Sequence, residues 1–321
     1  MNTCKVSLVL ATVGRTDELC RLIDSLVRQT FRNFEVILVD QNLDDRLQSH
    51  VQRLDDVGMA LKHVKHFPPN LSTARNAGIA LAQGKWVGFP DDDCWYDAQF
   101  LEHLCPYFDD TTALSGVSAR WVELIDSNVR QTDLTCKRSR AFRDVPTTSF
   151  TLFFNRKLFD EIGAFDVRLG VGQWFGAAEE TDLVLRALGA GAKIAYEPSA
   201  KVYHPLKRPQ PTPQARLSAR SRARGTGALY KKHNLSFLVV VRGLLAPLGR
   251  SLLRSRRWGE WAHGYAVSLG RMEGMMRWGS AMHDKSVRLD VARTTMILRA
   301  RGARQLVHQK APIEEERKAA A

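Results

Sequence analysis

Up to residue 90, short apolar runs alternate with segments whose apolar residues recur at helical spacing, and few folds accommodate that alternation. Val6–Leu10 is a β-branched and leucine run of strand length, and Asp17–Gln29 follows with Leu19, Leu22, Ile23, Leu26 and Val27 on one helical face. Phe34–Val39 reads as a second buried strand ending at Asp40, 45–57 as a helix, and 61–67 as a third strand halted by Pro68 and Pro69. Ser72 is the expected cap of a helix that runs to Ala82 and stops at Gly84. Trp86–Phe89 is a fourth strand, ending at Pro90. Strands apolar on both faces, separated by helices, form a mostly parallel sheet covered on both sides. The expected class is α/β. In such sheets ligands bind beyond the carboxyl ends of the strands, which directs attention to Thr12–Arg15, Asp40 and Asp91–Asp93.

The chain is less regular further on. Val117–Ile125 and Phe150–Phe154 read as strands and Thr181–Leu188 as a helix ending at Gly189 and Gly191. Pro209, Pro211 and Pro213 mark a linker, so the expected division is 1–205 and 206–321. Charge divides there too. Residues 201–321 hold 25 Lys/Arg against 7 Asp/Glu, whereas residues 1–200 hold 22 against 27. A basic rear of this kind meets phosphates, on nucleic acid or on anionic lipid. Five cysteines without a CxxC pair argue against a disulfide framework or structural zinc site, and for a reducing, cytoplasmic compartment. The N-terminus lacks a signal-peptide pattern. The longest apolar stretch, 235–253, is broken by Arg242, Pro247 and Arg250 and is no clean membrane span. The segment 314–321 reads as a frayed tail.

Four constellations carry chemistry. Asp91-Asp92-Asp93 sits at a strand end, where adjacent carboxylates stay ionised together most easily beside a hard cation such as Mg2+ or Mn2+. Asn70 to Gly78 opens a helix with Arg75 in its first turns, a setting that suits a phosphate. Glu179-Glu180-Thr181-Asp182 starts another helix after a small-residue turn; any of Glu179, Glu180 and Asp182 could take a proton from an acceptor hydroxyl. His204 follows a predicted strand and offers an imidazole to manganese.

Taken in order, Ser7–Thr12, Val39–Asn42, Leu71–Gly78, Phe89–Asp93, Phe165-Asp166, Glu179–Arg186 and Val202–His204 resemble the inverting family 2 glycosyltransferases of the GT-A fold, of the bacterial polysaccharide type, over residues 4–205. The resemblance implies roles. Thr12 and Asp40 match positions at the donor's base and ribose, with Arg15 in the loop beside them, and Arg75 matches a residue near the diphosphate. Asp91 and Asp93 match the ends of the DxD motif, Asp93 being the first choice as direct metal ligand, with Asp92 beside the ribose. Glu180 matches the second acid of the Glu-Asp motif, the general base, although here it is Glu; Glu179 and Asp182 stay open. His204 matches a histidine that completes the metal site. The implied substrates are a nucleoside-diphosphate sugar and a glycan or polyprenyl-linked acceptor.

In the rear, Arg254, Arg256 and Arg257 adjoin Trp258 and Trp261, as in helices that lie in a membrane interface. An anionic surface at the inner face of the plasma membrane is therefore an expected partner. No nucleic-acid reader motif occurs. Two competing readings are a sugar-phosphate nucleotidyltransferase, for which the loop Thr12-Val13-Gly14-Arg15 is too poor in Gly, and a catalytically inactive membrane-bound module, against which the carboxylates at 91–93 and 179–182 argue. Trp95 and Trp174 are candidates for stacking on an acceptor ring.

Overall fold

A computed structural model describes residues 5–108, 113–122, 133–142, 148–205, 212–254, 258–281, 296–300 and 303–307. The front half alternates β1 (Val6–Thr12), α1 (Asp17–Val27), β2 (Phe34–Asp40), α2 (Gln48–Asp56), β3 (Ala60–Lys65), α3 (Leu71–Leu81) and β4 (Trp86–Gly88). The short β5 (Trp95–Tyr96) and α4 (Phe100–Leu104) come next, then β6 (Gly116–Trp121), α5 (Cys136–Arg140), β7 (Leu152–Asn155), α6 (Lys157–Ile162), α7 (Glu179–Gly189) and β8 (Ile194–Tyr203). One eight-stranded sheet runs in the order β3-β2-β1-β4-β7-β6-β8-β5. Its first four strands are parallel, as their continuous apolar character requires; β7 is antiparallel to both β4 and β6.

Register decides where chemistry can happen. Thr12 pairs with Asp40, and Asp40 with Lys65, so three strands end level. β4 stops nearby and releases the turn at Asp91–Asp93 on that same edge. Each face of the sheet buries its own apolar cluster, one around Leu8, Leu22, Trp86 and Phe153, the other around Val9, Val87, Phe89 and Val184.

Two expectations need correction. Asn70, not Ser72, caps α3: its side chain accepts from the Thr73 amide, because an extended Asn70 sits one residue ahead of the helix. Ser72 lies inside the first turn and donates to the Leu169 carbonyl instead. The expected strand from Val117 ends at Trp121, and the expected linker and tail fall outside the described residues except at Pro213, which opens a helix.

The rear contains α8 (Pro213–Lys232), α9 (Phe237–Arg254) and α10 (Trp258–Ala281), followed by a hairpin of β9 (Met296–Ala300) and β10 (Ala303–Val307) that lies against β3. The hairpin adds two strands to a rear that is otherwise helical among the described residues. Thr212 caps α8 and Pro213 takes its first position, where a missing N–H costs nothing. α8 and α10 approach at van der Waals contact of their backbones: a β-carbon on Gly227 would overlap the Arg271 carbonyl, and one on Gly274 the Arg224 carbonyl. Glu273 of α10 then pairs with Arg220 and Arg224 of α8. Along α9 and α10, Phe237, Leu238, Leu245, Leu253, Tyr265 and Met276 are exposed. Among the described residues no helix is long and apolar enough to cross a membrane.

A methyl group at the α8–α10 contact has nowhere to go, whereas Gly189 at the end of α7 faces open space. Gly227→Ala is expected to destabilise the protein by about 1–3 kcal/mol. Gly189→Ala should leave it unchanged or up to about 1 kcal/mol more stable. Denaturant midpoints of the two variants check this.

Candidate active site

A cavity of about 530 Å3 opens at the strand-end edge, lined among others by Arg15, Arg75, Asp91, Asp93, Glu180 and His204. Its centre is Arg75, on the buried face of α3 and 2% exposed. One nitrogen of its guanidinium donates to Glu179 Oε1 at 3.1 Å; the other donates to Asp91 Oδ1 at 3.0 Å and to Ser149 Oγ at 2.7 Å. Ser149 in turn donates to Asp91 at 3.0 Å. A planar, always charged fork can hold two carboxylates from distant segments at once. The aspartate turn and the start of α7 therefore meet in one cleft.

The remaining aspartates of the turn face Arg15, whose guanidinium reaches Asp92 at 2.5 Å and Asp93 at 2.7 Å. Asp92 also accepts from Thr12 Oγ1 at 2.7 Å. Burial pushes the Asp92 carboxyl up to about 6, against the pull of Thr12 and Arg15. Asp93 accepts from His204 Nε2 at 2.9 Å. Burial works against a charged imidazole there, but Asp93 outweighs it and the His204 pKa is raised. The ring is held in place by Phe150, stacked at 5.0 Å, and by the edge of Trp121. Potential ligand atoms of Asp91, Asp93 and His204 all lie within 4.8 Å of one another. Two carboxylate oxygens and an imidazole nitrogen form a donor set that fits a divalent cation.

α7 begins under strain. Ala178, its N-cap, has φ of 81°, a left-handed conformation that a β-carbon disfavours. The turn before it is pressed by α8, where a β-carbon on Gly225 would overlap the Ala177 carbonyl. This geometry aims Glu180 into the cavity with its Oε2 shielded from solvent and without a hydrogen-bond partner among the described residues. Burial, with the Glu179 charge beside it, drives the Glu180 pKa well above the ordinary carboxyl range.

The other expected residues stand elsewhere. Asp182 is fully buried and turned to the opposite side of α7, within 2.8 Å of both Lys232 and His233 of the α8 end and 2.9 Å of Arg186. Residues i and i+2 of a helix point about 200° apart, so Glu180 and Asp182 could not share a cleft. Asp40 is also fully buried: it accepts from Asn42, from His63 at 3.0 Å and from Lys65 at 2.9 Å. Thr12 and Asp40 sit behind the cavity wall, and Ala11, Val13 and Gln41 line it there. Trp174 has the guanidiniums of Arg224 and Arg277 over its ring at 4.5 and 4.3 Å, and Trp95 stacks on Tyr203 with Arg21 over its ring, so both rings are engaged within the protein and neither lines the cavity. Sequence reasoning missed Ser149, Phe150, Trp121 and Arg222. The first three follow no pattern, and Arg222 is one among many arginines.

Comparison with known proteins agrees with this geometry. The profile described as Glycosyl transferase family 2 matches residues 7–165. The chain belongs to glycosyltransferase family 2. It is 30% identical to the pre-mycofactocin glycosyltransferase of Mycobacterium tuberculosis over 214 residues, 62% of this chain and 42% of the relative. The chain matches a third or less of the length of the first curated relatives, at 14%, 33% and 24%. In fold, this glycosyltransferase is similar to the mannosyltransferase PcManGT from Pyrobaculum calidifontis in complex with GDP-Man and Mn2+, with a TM-score of 0.56 at 16% identity, covering 87% of this chain and 74% of that one. It is also similar to S. aureus TarS 1–349 in complex with UDP-GlcNAc, with a TM-score of 0.53 at 15% identity, covering 96% of this chain and all (100%) of that one. Family membership sets aside the nucleotidyltransferase reading.

The Asp182 cluster gives the glycosyltransferase a measurable acid sensitivity. Burial alone would raise the Asp182 pKa, but His233, Lys232 and Arg186 bring it below the ordinary 3.8. Its stabilisation is therefore complete above that value and is lost as pH falls through the folded-state pKa. Asp182→Asn is expected to cost about 3 kcal/mol at neutral pH, since it strands buried cations. The gap to the wild type should narrow in acid, as read from urea unfolding across pH.

Proposed function

We propose that this family 2 enzyme transfers a sugar from a nucleoside-diphosphate donor to an acceptor hydroxyl with inversion, and that Glu180 is the general base. The observation that carries the reading is the unpartnered Glu180 Oε2 in the same cavity as Asp91, Asp93 and His204. Of the acids near the start of α7, Asp182 is tied to α8 and Glu179 to Arg75 through Oε1, its Oε2 being open like that of Glu180; the role goes to Glu180, whose carboxyl is the one that burial pushes well up. A carboxylate whose pKa is raised by burial is the better proton acceptor once ionised. Attack from its side, opposite the diphosphate, inverts the anomeric carbon without a covalent sugar–enzyme intermediate.

Asp91, Asp93 and His204 would hold Mn2+ or Mg2+, Asp93 as the central ligand. The ion, when bound, supplies positive charge for the departing diphosphate. To serve as a ligand His204 would have to be neutral, having given up the proton it shares with Asp93. Arg15 and Arg222 add charge for the phosphates at the cavity wall. Val13 and Gln41 receive the base, Asp92 meets the ribose, and Thr12 and Asp40 support that wall from behind. PcManGT is titled with GDP-Man and Mn2+ and TarS with UDP-GlcNAc, so the neighbours support a nucleotide-sugar donor but name different ones.

The acceptor is a glycan or polyprenyl-linked chain, reached from the cytoplasmic face of the membrane. What supports this is the rear: exposed Phe237 and Leu238, each 78% exposed, and Leu253 lie on a helix carrying Arg242 and Arg250. The proposed division places catalysis in 1–205 and surface attachment in 206–321.

Donor hydrolysis with added Mn2+ tests the catalytic assignment. Glu180→Gln is expected to lower kcat by about 10²–10⁴-fold while nucleotide affinity stays unchanged. Asp93→Ala should lose the Mn2+ dependence of nucleotide binding. Full turnover in Glu180→Gln would remove Glu180 from the role, and equal background hydrolysis in wild type and Asp93→Ala would favour an inactive binding module. Flotation with anionic liposomes at low salt tests the rear; Phe237→Ser/Leu238→Ser should reduce the bound fraction severalfold.

A further inference from the structure

A second cavity, of about 370 Å3, lies among α8, α9 and α10, and no residue lines both it and the catalytic cleft. Arg242 and Arg250 reach it from α9, and Arg271 and His263 from α10. Among the described residues no Asp or Glu lines it. Glu273, two residues from Arg271, is turned away to Arg220 and Arg224.

The arginines are held in place by the backbone. Pro247 inside α9 has no N–H, so the carbonyl of Gly243 four residues earlier loses its helical donor. The Arg271 guanidinium donates to that carbonyl instead. The Tyr230 hydroxyl also meets Arg271, and Arg271 Nε has no hydrogen-bond partner among the described residues. Arg242 is fixed by the Ala141 carbonyl. These partners are neutral, so the guanidiniums repel one another without an internal counter-charge. Forks of this kind match phosphate oxygens in pairs. The rest of the wall, with Val239, Ala246 and Val267, is apolar.

We propose that this cavity is an anion site separate from catalysis, and that it takes a phosphate ester whose carbon skeleton lies against the apolar wall. The same chemistry is offered by a lipid headgroup and by a small soluble phosphate. The proposal does not rest on the assignment of Glu180 or of the donor.

Calorimetric titration of the full chain distinguishes the sources. The probes are dioctanoyl phosphatidic acid below its micelle concentration, dioctanoylglycerol, and inorganic phosphate. Arg242→Ala/Arg250→Ala removes two exposed side chains, so its Tm and its nucleoside-diphosphate affinity should match the wild type. Phosphatidic acid is expected to bind, at least about tenfold more weakly to the double variant, while dioctanoylglycerol does not bind. Inorganic phosphate binding with the same arginine dependence also upholds the site and assigns it to free phosphate. Equal affinity in wild type and double variant, equal binding of dioctanoylglycerol, or binding of neither phosphate probe overturns it. Nucleotide binding in the same samples reports on the catalytic cleft independently.

Discussion

One guanidinium holds the candidate site together. Arg75 is buried on α3 and reaches Asp91, sixteen positions along the chain, and Glu179, more than a hundred positions along. Without a cation between them, the aspartate turn and the start of α7 would meet as bare negative charge in a poorly solvated cleft. Coulomb repulsion between unit charges held several ångströms apart costs on the order of a few kcal/mol at an intermediate effective dielectric. Arg75 turns that repulsion into two charge-assisted hydrogen bonds. It also ties down Glu179 through Oε1, while the Oε2 atoms of Glu179 and Glu180 both lack a hydrogen-bond partner among the described residues.

The rear helices serve the front. Asp182 binds Lys232 and His233 on one side of α7 while Glu180 faces the cleft on the other. Gly225 lets α8 press on the turn at Ala177, and the turn carries a left-handed Ala178. A conformation that costs on the order of 1 kcal/mol is kept because the surrounding packing over-determines it. The contact of Arg224 and Arg277 with the Trp174 ring adds a second clamp on the loop before α7. The basic residues thus divide between two tasks, some bracing the catalytic turn and others, such as Arg242 and Arg250, facing outward or into the second cavity.

Much of the fold was legible because burial on both faces leaves a plain record. A strand covered by helices on each side must be mostly apolar, and β1, β2 and β4 are, with the buried Ser7 and Glu35 hydrogen-bonded to each other. Their ends fall at Thr12, Asp40 and Gly88, so the turn at Asp91–Asp93 could be placed on the ligand-bearing edge before any contact was known. Errors occurred where the local rule had a near-equal competitor. Asn70 and Ser72 are both good caps, and only the extended backbone at Asn70 decides between them. Asp40 was set at the right edge but is taken up by Lys65, level with it on β3, and by His63 two residues earlier, while Thr12 donates to Asp92.

The sequence alone determined the α/β class, the carboxylates at the strand ends and the family to which the chain belongs, since these depend on short-range periodicity and on motif order. Tertiary structure decided how each acid at the start of α7 is partnered. Glu179, Glu180 and Asp182 are equivalent by composition and spacing. Their partners, Arg75 from α3 and Lys232 and His233 from the end of α8, come from segments that the chain's order does not place. Which carboxylate is neutralised, and which is left desolvated and unpaired, is a property of that packing.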